Sequence, residues 1–368
     1  LLAGRLGRDP AGLRLQNALR AGEENGVGVP AEPGADVAAC LRAAMDHPLW
    51  AGREAWKKAA APDVRRGVGL TAMQNAMGYG RGLSDHAAAK LELTRQGTFR
   101  IFNSVPDMGQ GNSSAFAAMA AKALNQPETA FVCRQPDTRV CPPAGSSSAS
   151  RTTYTFGNAL LGACRAMAAK LRHRAALALL CDEPDRLVLV PGAVSDPATG
   201  RAVPLAMLAG FLSRDDRICI DQHAMAVVEN PPDTGREFAI GFPHRFYAYG
   251  ACLCAVEADA LTGRVRLARC FLTVACGKVF SLEGVEQQLQ GAAGQGAGLA
   301  LFEDLLLEDG GIRAGDLSTY LLPTALDLPD MDCLALDDDE PTGPMGLKGM
   351  GEIAVHGPGP AVAQALQD

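Results

Sequence analysis

The sequence predicts an α+β fold, because stretches with helical spacing alternate with stretches typical of antiparallel hairpins. Small and apolar residues recur at helical spacing near residues 114–124 and 155–171. Residues 185–280 are instead typical of strands, and two hairpin turns are expected at Gln96-Gly97 and at residues 259–263. Together these observations predict mixed or antiparallel sheets that pack against long helices.

The composition is typical of a globular protein. The chain has 368 residues, of which 48% are hydrophobic and 20% are charged, so it can form two or three compact units. The net charge is −7 and the basic residues are scattered, so nucleic acid is not expected as a partner. No apolar run reaches the roughly 18 residues of a membrane span, so no membrane partner is expected.

The eleven cysteines are odd in number and include no Cys-x-x-Cys pair. This pattern argues against a disulfide framework and against a self-contained zinc or iron–sulfur site. We therefore expect reduced, mostly buried thiols and a cytoplasmic location. Cys252 and Cys254 alternate on a predicted strand and would face the same way, which favours core packing and leaves metal ligation as the alternative.

Residues 1–60 are predicted to be helical and connective. Asp9 could cap a helix whose first residue is Pro10. A Gly/Pro-rich link at residues 26–34 then precedes a second helical stretch over residues 35–58. Because this segment has too little apolar surface for a core of its own, we interpret it as the helical tail of a preceding domain.

Residues 61–185 are expected to form a first α+β subdomain. A buried strand at residues 66–70 would enter a glycine turn at residues 78–82. Residues 89–94 and 98–104 alternate like the two strands of an antiparallel hairpin. The helices of this subdomain would each follow a loop rich in small residues.

The first of these loops contains Gly109, Gln110 and Gly111 and precedes an alanine-rich helix. Free backbone N–H groups and the helix dipole at such a position suit an anion such as a phosphate. The amide of Gln110 adds a donor and an acceptor for a heterocycle or an oxo ligand. An ordinary capped helix start is the alternative interpretation.

The second loop covers residues 142–153 and is rich in hydroxyl side chains. Arg151 follows Ala149 and Ser150, and its guanidinium could bind a phosphate in bidentate fashion. Thr152 leads into the helix predicted near residues 155–171. A flexible serine-rich linker is the alternative here.

Residues 186–368 are expected to form a second α+β subdomain that ends in a functional loop. Strands are predicted at residues 187–190 and 238–240, and a helix is predicted to begin after Ser281. Glycines along this helix would allow close packing. The acidic run at residues 337–340 is expected to be a solvated loop.

The functional loop is the glycine-rich stretch at residues 346–352, which ends in Glu352. Glycines at this spacing let the backbone approach a large group closely. Because apolar residues 353–355 follow, the carboxylate is expected to be partly desolvated, with a raised pKa that suits a general base. A glycine turn with a solvated surface glutamate is the alternative.

Taken in this order, the loops resemble the C-terminal half of the molybdenum-binding subunit of the molybdenum hydroxylases, the xanthine oxidase and aldehyde oxidoreductase family. The resemblance covers nearly the whole chain, and it makes residues 1–60 the tail of the preceding molybdenum-binding domain. It is carried by Leu6–Pro10 with Leu13–Asn17, Asp107–Gly111, Ser148–Thr152 with Gly157–Ala159, Val285–Gln288 with Gly291, Gln295 and Gly296, Tyr320–Asp327, and Gly346–Glu352.

The resemblance implies the molybdopterin-binding fold of this family and a molybdenum–molybdopterin cofactor, in the cytosine dinucleotide form that is common in bacterial relatives. Its dithiolene holds the molybdenum, so no direct protein ligand to the metal is expected. Glu352 would be the catalytic base that activates a water-derived oxygen for attack on an electron-poor carbon. The cofactor-binding residues implied are Gly109, Gln110, Gly111, Ala149, Ser150, Arg151, Thr152, Gln288, Lys348, Gly349 and Gly351. Lys348 would offset charge on Glu352 or on the cofactor.

The resemblance also implies the reaction and the partners. A nicotinate-like or purine-like N-heteroaromatic would be hydroxylated with water as oxygen source, and electrons would pass to [2Fe–2S] and FAD subunits. The family's subunit is usually much longer than this chain, so a second molybdenum-subunit polypeptide, as in nicotinate dehydrogenase, would complete the site. The family often has an acidic residue where Ala275 stands, which affects expected packing rather than chemistry.

Three alternatives stay open at this point. The chain could belong to an aldehyde-oxidising member of the same family, or it could be a non-catalytic assembly or scaffold homologue. From the residues alone, it could also be a nucleotide-binding protein that uses the loops at Gln110 and Ser150 for phosphates.

Overall fold

A computed structural model describes residues 2–26, 28–34, 36–80, 83–228, 244–338 and 340–368. The helices are α1 Leu2–Arg5, α2 Pro10–Gln16, α3 Val37–Asp46, α4 Pro48–Ala51, α5 Arg53–Lys58, α6 Asn112–Leu124, α7 Thr152–Leu179, α8 Leu205–Phe211, α9 Leu282–Leu301 and α10 Pro358–Ala365. The strands are β1 Val64–Ala76, β2 His86–Leu93, β3 Phe99–Phe102, β4 Phe131–Arg134, β5 Val188–Val190, β6 Ala193–Ser195, β7 Ala202–Pro204, β8 Ile218–Ala224, β9 Tyr247–Asp259, β10 Val265–Ala275, β11 Leu307–Glu308, β12 Gly311–Ile312 and β13 Met331–Leu336.

The chain forms two compact units, and each combines helices with sheets, which confirms the α+β prediction. The first unit comprises Leu1–Arg81, Val227–Pro341 and Gly346–Asp368, and the second comprises Gly82–Ala226 and Thr342–Met345. This division differs from the predicted segments 1–60, 61–185 and 186–368. The reason is that β1 pairs along its whole length with β9, from Val64 opposite Asp259 to Ala76 opposite Tyr247.

The first unit is built on a four-stranded sheet in the order β1-β9-β10-β13. The predicted hairpin of β9 and β10 is confirmed as an antiparallel pair, and β13 adds to β10 in parallel. Helices α2, α3 and α4 cover one face of the sheet, where Leu41 packs with Leu70 and Leu253. Helices α9 and α10 cover the other face, where Leu289 and Val362 share a core with Leu272. The N-terminal helices therefore share a core with strands that lie far along the chain.

Local signals for helices α2 and α9 are confirmed. The carboxylate of Asp9 accepts a hydrogen bond from the Gly12 N–H at 2.6 Å, and Pro10 is the first residue of α2. The hydroxyl of Ser281 likewise accepts from the Gly284 N–H and caps α9. Both caps satisfy backbone donors that a helix start leaves without partners.

The second unit contains a four-stranded sheet in the order β4-β3-β2-β8 and a three-stranded sheet of β5, β6 and β7. Strands β2 and β3 form the predicted antiparallel hairpin, and Gly97 at its turn has a φ of +82°. Helix α7 begins at Thr152, directly after the serine-rich loop, and is longer than predicted. The loop therefore ends in a rigid element rather than in a flexible linker.

Two further sequence expectations bear on the described residues. All eleven cysteines are free thiols, and eight of them are buried, as expected. Among the described helices, none combines the length and hydrophobicity needed to cross a lipid bilayer. The predicted strand at residues 238–240 and the turn residues 81–82 lie outside the described residues.

Candidate functional site

The loop at residues 346–351 is held by backbone hydrogen bonds in the first unit. The carbonyl of Gly346 accepts from the Lys278 N–H at 2.8 Å and from the Glu340 N–H at 3.2 Å. The Lys348 N–H donates to the Cys276 carbonyl at 3.0 Å. These bonds join the loop to the chain that leaves β10 and to the segment that follows β13.

A buried ion pair lies beneath this loop. The ammonium of Lys348 is 2.5 Å from Oδ2 of Asp338, and Oδ1 of Asp338 accepts from the Gly277 N–H at 2.6 Å. Burial raises the pKa of Asp338, and the neighbouring Lys348 opposes this shift. The acidic run was predicted to be solvated, but Asp338 is mostly buried and Glu340 is 4% exposed, because each contacts the loop. The ammonium predicted to offset charge on Glu352 or a cofactor is thus engaged by Asp338.

Glu352 is exposed, so the predicted desolvation of its carboxylate is not observed. The next two residues, Ile353 and Ala354, are fully buried in the core beneath the sheet. The apolar residues after Glu352 are therefore buried while Glu352 itself is exposed. Gln288 on α9 donates through Nε2 to the Gly351 carbonyl at 3.0 Å, which attaches the residue before Glu352 to that helix.

Helix α9 also approaches the segment that follows Glu352. A Cβ placed on Gly296 would lie 2.4 Å from the Val355 carbonyl oxygen, so only glycine permits this contact. On the other side of the loop, the Gly349 N–H points to Sδ of Met77 at 3.0 Å. The structure therefore brings Gln288, Gly349 and Gly351 together around the backbone that carries Glu352.

In the second unit, the Gly109–Gly111 loop is closed by a carboxylate that sequence reasoning did not assign. Asp107 accepts hydrogen bonds from the N–H groups of Gly109 at 3.1 Å, Gly111 at 3.3 Å and Ser113 at 3.0 Å. The bond from Ser113, together with the other two, lowers the pKa of Asp107. These N–H groups were predicted to be free for an anion. The correction is that an internal anion already occupies them, and an Asp shortly before a helix was the available signal.

Gln110 is exposed and folds back on its own loop. Its Oε1 accepts from the Met108 N–H at 2.5 Å, and its Nε2 donates to the Pro106 carbonyl at 3.1 Å. The amide nitrogen carries a second N–H, so it can donate one more hydrogen bond. The position therefore offers a neutral donor rather than a charged one.

Arg151 is buried and acts inside its own loop. It is 1% exposed, forms an ion pair with Asp85, and donates to the carbonyls of Ala144 and Ser146 at 3.0 Å and of His86 at 2.7 Å. The predicted bidentate phosphate contact of Arg151 is therefore corrected, since its guanidinium is directed to partners within the protein. Asp85 lies far back in the chain, and no local pattern indicates this pairing.

The two residues before Arg151 have an uncommon backbone conformation. Ala149 and Ser150 have φ values of +54° and +50°, in the left-handed region that side chains rarely adopt. The hydroxyl of Thr152 at the start of α7 is 3.1 Å from that of Ser147. The loop thus presents several hydroxyl groups on a constrained backbone.

The two loops of the second unit begin neighbouring helices. The rings of Phe116 in α6 and Phe156 in α7, each one turn into its helix, have centroids 4.4 Å apart. At the first residue of α6, Nδ2 of Asn112 is buried and finds no hydrogen-bond partner within the described part of the chain. A buried donor of this kind indicates a place for an acceptor.

Comparison with known proteins identifies the family. Residues 43–329 match a family model described as a molybdopterin cofactor-binding domain. The chain belongs to this family. Its match covers all but the first and last segments of the described fold, and the α+β architecture is that of molybdopterin-binding domains.

Two curated relatives of this molybdopterin cofactor-binding chain are similar over most of its length. One is a probable subunit of xanthine dehydrogenase from Bacillus subtilis (strain 168), 28% identical over 378 residues, with 100% of this chain and 47% of the relative covered. The other is the gamma subunit of the 6-hydroxypseudooxynicotine dehydrogenase complex from Paenarthrobacter nicotinovorans, 31% identical, with 85% and 38% covered. The chain thus spans less than half the length of these relatives.

A solved structure shows the same fold. Quinoline 2-oxidoreductase from Pseudomonas putida 86 superposes with a TM-score of 0.85 at 22% sequence identity. The match covers 100% of this chain and 47% of that chain.

The donor set of the described loops fits a molybdopterin group in part. The hydroxyl-rich loop before α7, the exposed amide of Gln110 and the buried Nδ2 of Asn112 suit a ligand rich in hydrogen-bond acceptors. Arg151 and the N–H groups around Asp107 do not add a site for a phosphate, because internal carboxylates occupy them. The residues present therefore favour recognition by neutral hydrogen bonds.

Proposed function

We propose that this chain provides the C-terminal half of the molybdopterin-binding subunit of a molybdenum hydroxylase. The observation that carries the proposal is the setting of Glu352. Its carboxylate is exposed, yet the backbone on either side is fixed by the Gln288 amide and by the buried Ile353. A general base needs this combination of access to the reacting group and a defined position.

When bound, the molybdenum–molybdopterin cofactor would supply the oxygen transfer and the two-electron oxidation. Glu352 would accept, at a carboxylate oxygen, the proton that a water-derived oxygen loses. Gln288 would keep the base in place through Gly351. Gln110, Ser150 and Thr152 would donate hydrogen bonds to the pterin, and the constrained backbone at Ala149 would set the direction of that loop.

We further propose that the cofactor is the cytosine dinucleotide form, and that electrons leave through [2Fe–2S] and FAD partner chains in the cytoplasm. The rest of the family fold would be supplied by a further segment or by a second polypeptide, because the relatives are more than twice as long as the region matched. Iron and FAD analysis of the isolated complex, and identification of the nucleotide released from its pterin, would test these assignments.

An N-heteroaromatic substrate is proposed rather than an aldehyde. The names of the two relatives refer to xanthine and to 6-hydroxypseudooxynicotine, which both contain ring nitrogen. A ring carbon next to nitrogen is electron-poor and suits attack by a water-derived oxygen. The aldehyde-oxidising alternative is tested by supplying both substrate classes to the same preparation.

The test is Glu352→Gln in the assembled, molybdenum-containing complex. Loss of a general base is expected to lower turnover by roughly 10²–10⁴-fold while molybdenum and pterin contents stay unchanged. Glu308→Gln is the matched control, because Glu308 is an exposed glutamate of the same unit on β11. Wild-type turnover in the Glu352 variant would refute the catalytic assignment, and a folded complex without molybdenum and pterin would refute the whole proposal.

A further inference from the structure

Three cysteine sulfur atoms meet beneath the sheet of the first unit, in the same core as Ile353 and Ala354, the two residues that follow Glu352. Cys252 and Cys254 lie on the same face of β9, and Cys270 stands directly opposite Cys254 on β10. The Sγ atoms of Cys252 and Cys254 are 3.6 Å apart, and each lies 4.0 Å from Sγ of Cys270. A strand pattern predicts that Cys252 and Cys254 share a face, but only the strand register brings in Cys270.

The triangle of sulfur atoms has the dimensions of a three-coordinate metal site. The point equidistant from atoms separated by 3.6, 4.0 and 4.0 Å lies about 2.2 Å from each, close to the ~2.3 Å of a zinc–thiolate bond. Non-bonded heavy atoms require roughly 3.5–4.0 Å, so the centre can hold a bonded ion but not a packed side-chain atom or a water. Core packing explains why the thiols are buried. The ion-sized space between the three sulfur atoms is a separate observation.

The groups around the three sulfur atoms are apolar or contain sulfur. All three thiols are at most 2% exposed and belong to the apolar core beneath α9 and α10. The thioether of Met73 and the Cys252 thiol both pack against Gly357, since a Cβ there would lie 2.7 Å from Sδ and 3.0 Å from Sγ. In the described part of the chain, no His, Asp or Glu joins this group of ligands.

We propose that Cys252, Cys254 and Cys270 form a three-sulfur site for a soft monovalent metal ion, Cu(I). Thiolate and thioether sulfur favour Cu(I), whereas structural zinc takes four ligands in a tetrahedron. Each sulfur that binds exchanges its S–H bond for an S–Cu bond and releases the proton to solvent. No sulfur is oxidised and no copper is reduced in this step. The site uses none of the residues of the proposed hydroxylase function.

The experiment supplies Cu(I) anaerobically to the full chain in the presence of a competing Cu(I) chelator and measures the copper retained. One equivalent is expected in the wild type, and X-ray absorption should show three sulfur neighbours at about 2.3 Å. Cys254→Ala is expected to lose this equivalent. Cys40→Ala is the matched control, because Cys40 is equally buried in the same unit but on the opposite face of the sheet.

Four outcomes would overturn the proposal. They are equal copper retention in the wild type and the Cys254 variant, equal loss in the Cys40 variant, retention of Zn(II) in preference to Cu(I), and nitrogen or oxygen neighbours in the absorption spectrum. If Cys254→Ala does not fold, the wild-type spectrum decides, since fewer than three sulfur neighbours contradicts the site. Turnover of the molybdenum complex has no part in this test.

Discussion

Carboxylates within the protein occupy the charged side chains and the helix-start N–H groups of the proposed cofactor loops. Asp85 pairs with Arg151, Asp338 pairs with Lys348, and Asp107 accepts from the N–H groups at the start of α6. At the scale of single residues, the donors that remain in these loops are amides and hydroxyls. Besides the exposed Glu352, the exposed amide of Gln110 and the buried Nδ2 of Asn112 are neutral groups that could contact a ligand.

The role of Asp107 predicts a pH-dependent effect of Asp107→Asn. Hydrogen bonds, first that from Ser113, lower the pKa of Asp107 in the folded state, so its ionised form stabilises the fold above the unfolded pKa of roughly 3.9. This contribution is lost as the pH falls through the lower folded-state pKa. Near pH 7 the free energy of unfolding of the variant is expected to be about 1 kcal/mol lower, because the Asn amide keeps one acceptor oxygen where the carboxylate uses two.

Chemical denaturation of both proteins at pH 7 and at successively lower pH measures this difference. The gap between wild type and variant should narrow at acid pH. A gap that is constant with pH would contradict the ionised cap.

The Arg151–Asp85 pair predicts a large loss of stability in Arg151→Met. Removing one partner leaves the other carboxylate buried without its guanidinium, which typically costs roughly 3–5 kcal/mol. The matched control is Arg139→Met, since Arg139 pairs with Asp137 but its side chain is 86% exposed. We expect no measurable change in the free energy of unfolding for that variant. Equal effects of the two substitutions would show that Arg151 is not a clamp.

Helix α9 illustrates how one element both supports the fold and positions the site. Its Gln288 side chain holds Gly351, and its Gly296 admits the Val355 carbonyl, so Glu352 lies between two contacts with the same helix. The glycines of α9 are not equivalent, however. Gly291 has open space where a Cβ would be placed, whereas Gly296 has backbone at 2.4 Å.

This contrast predicts opposite effects for two alanine substitutions in α9. Gly291→Ala is expected to stabilise the protein by up to about 1 kcal/mol, because alanine is the better helix former. Gly296→Ala is expected to destabilise it by roughly 1–3 kcal/mol, since the methyl group overlaps the Val355 carbonyl. Thermal and chemical unfolding measure both. Stabilisation by Gly296→Ala would show that the helix does not contact this segment closely.

At the scale of the whole molecule, each unit is assembled from segments that are distant in sequence. Residues 1–81 belong to the first unit together with residues 227–341 and 346–368. Leu41 of α3 is fully buried against β1 and β9, so the N-terminal helices complete one face of that core. Neither unit corresponds to one continuous segment of the sequence.

Removal of residues 1–60 is therefore expected to abolish cooperative unfolding of the first unit. The deletion exposes the apolar face that includes Leu70 and Leu253. A chain that lacks only residues 1–8 is the control, because most side chains of that segment are exposed. Calorimetry and hydrogen exchange across β9 measure the outcome. A cooperative transition and protected β9 amides after the long deletion would contradict the shared core.

Local signals in the sequence determined the elements and the family. The cap at Asp9, the hairpin turn at Gly97 and the helix start at Ser281 all depend on residues within a few positions of one another. The order of the glycine loops was also sufficient to indicate a molybdopterin-binding fold. Such features can be predicted from the sequence because the backbone conformation of a turn or a cap depends on neighbouring residues.

Only the tertiary structure decided how charges and sulfur atoms are paired. Asp85 reaches Arg151, Asp338 reaches Lys348, and Cys270 reaches Cys254 through strand pairing and loop packing between distant segments. Glu352 is likewise exposed although the apolar residues that follow it are buried. The sequence shows which residues can be buried or paired. Which residues become partners depends on the register of the strands and on the packing of the core.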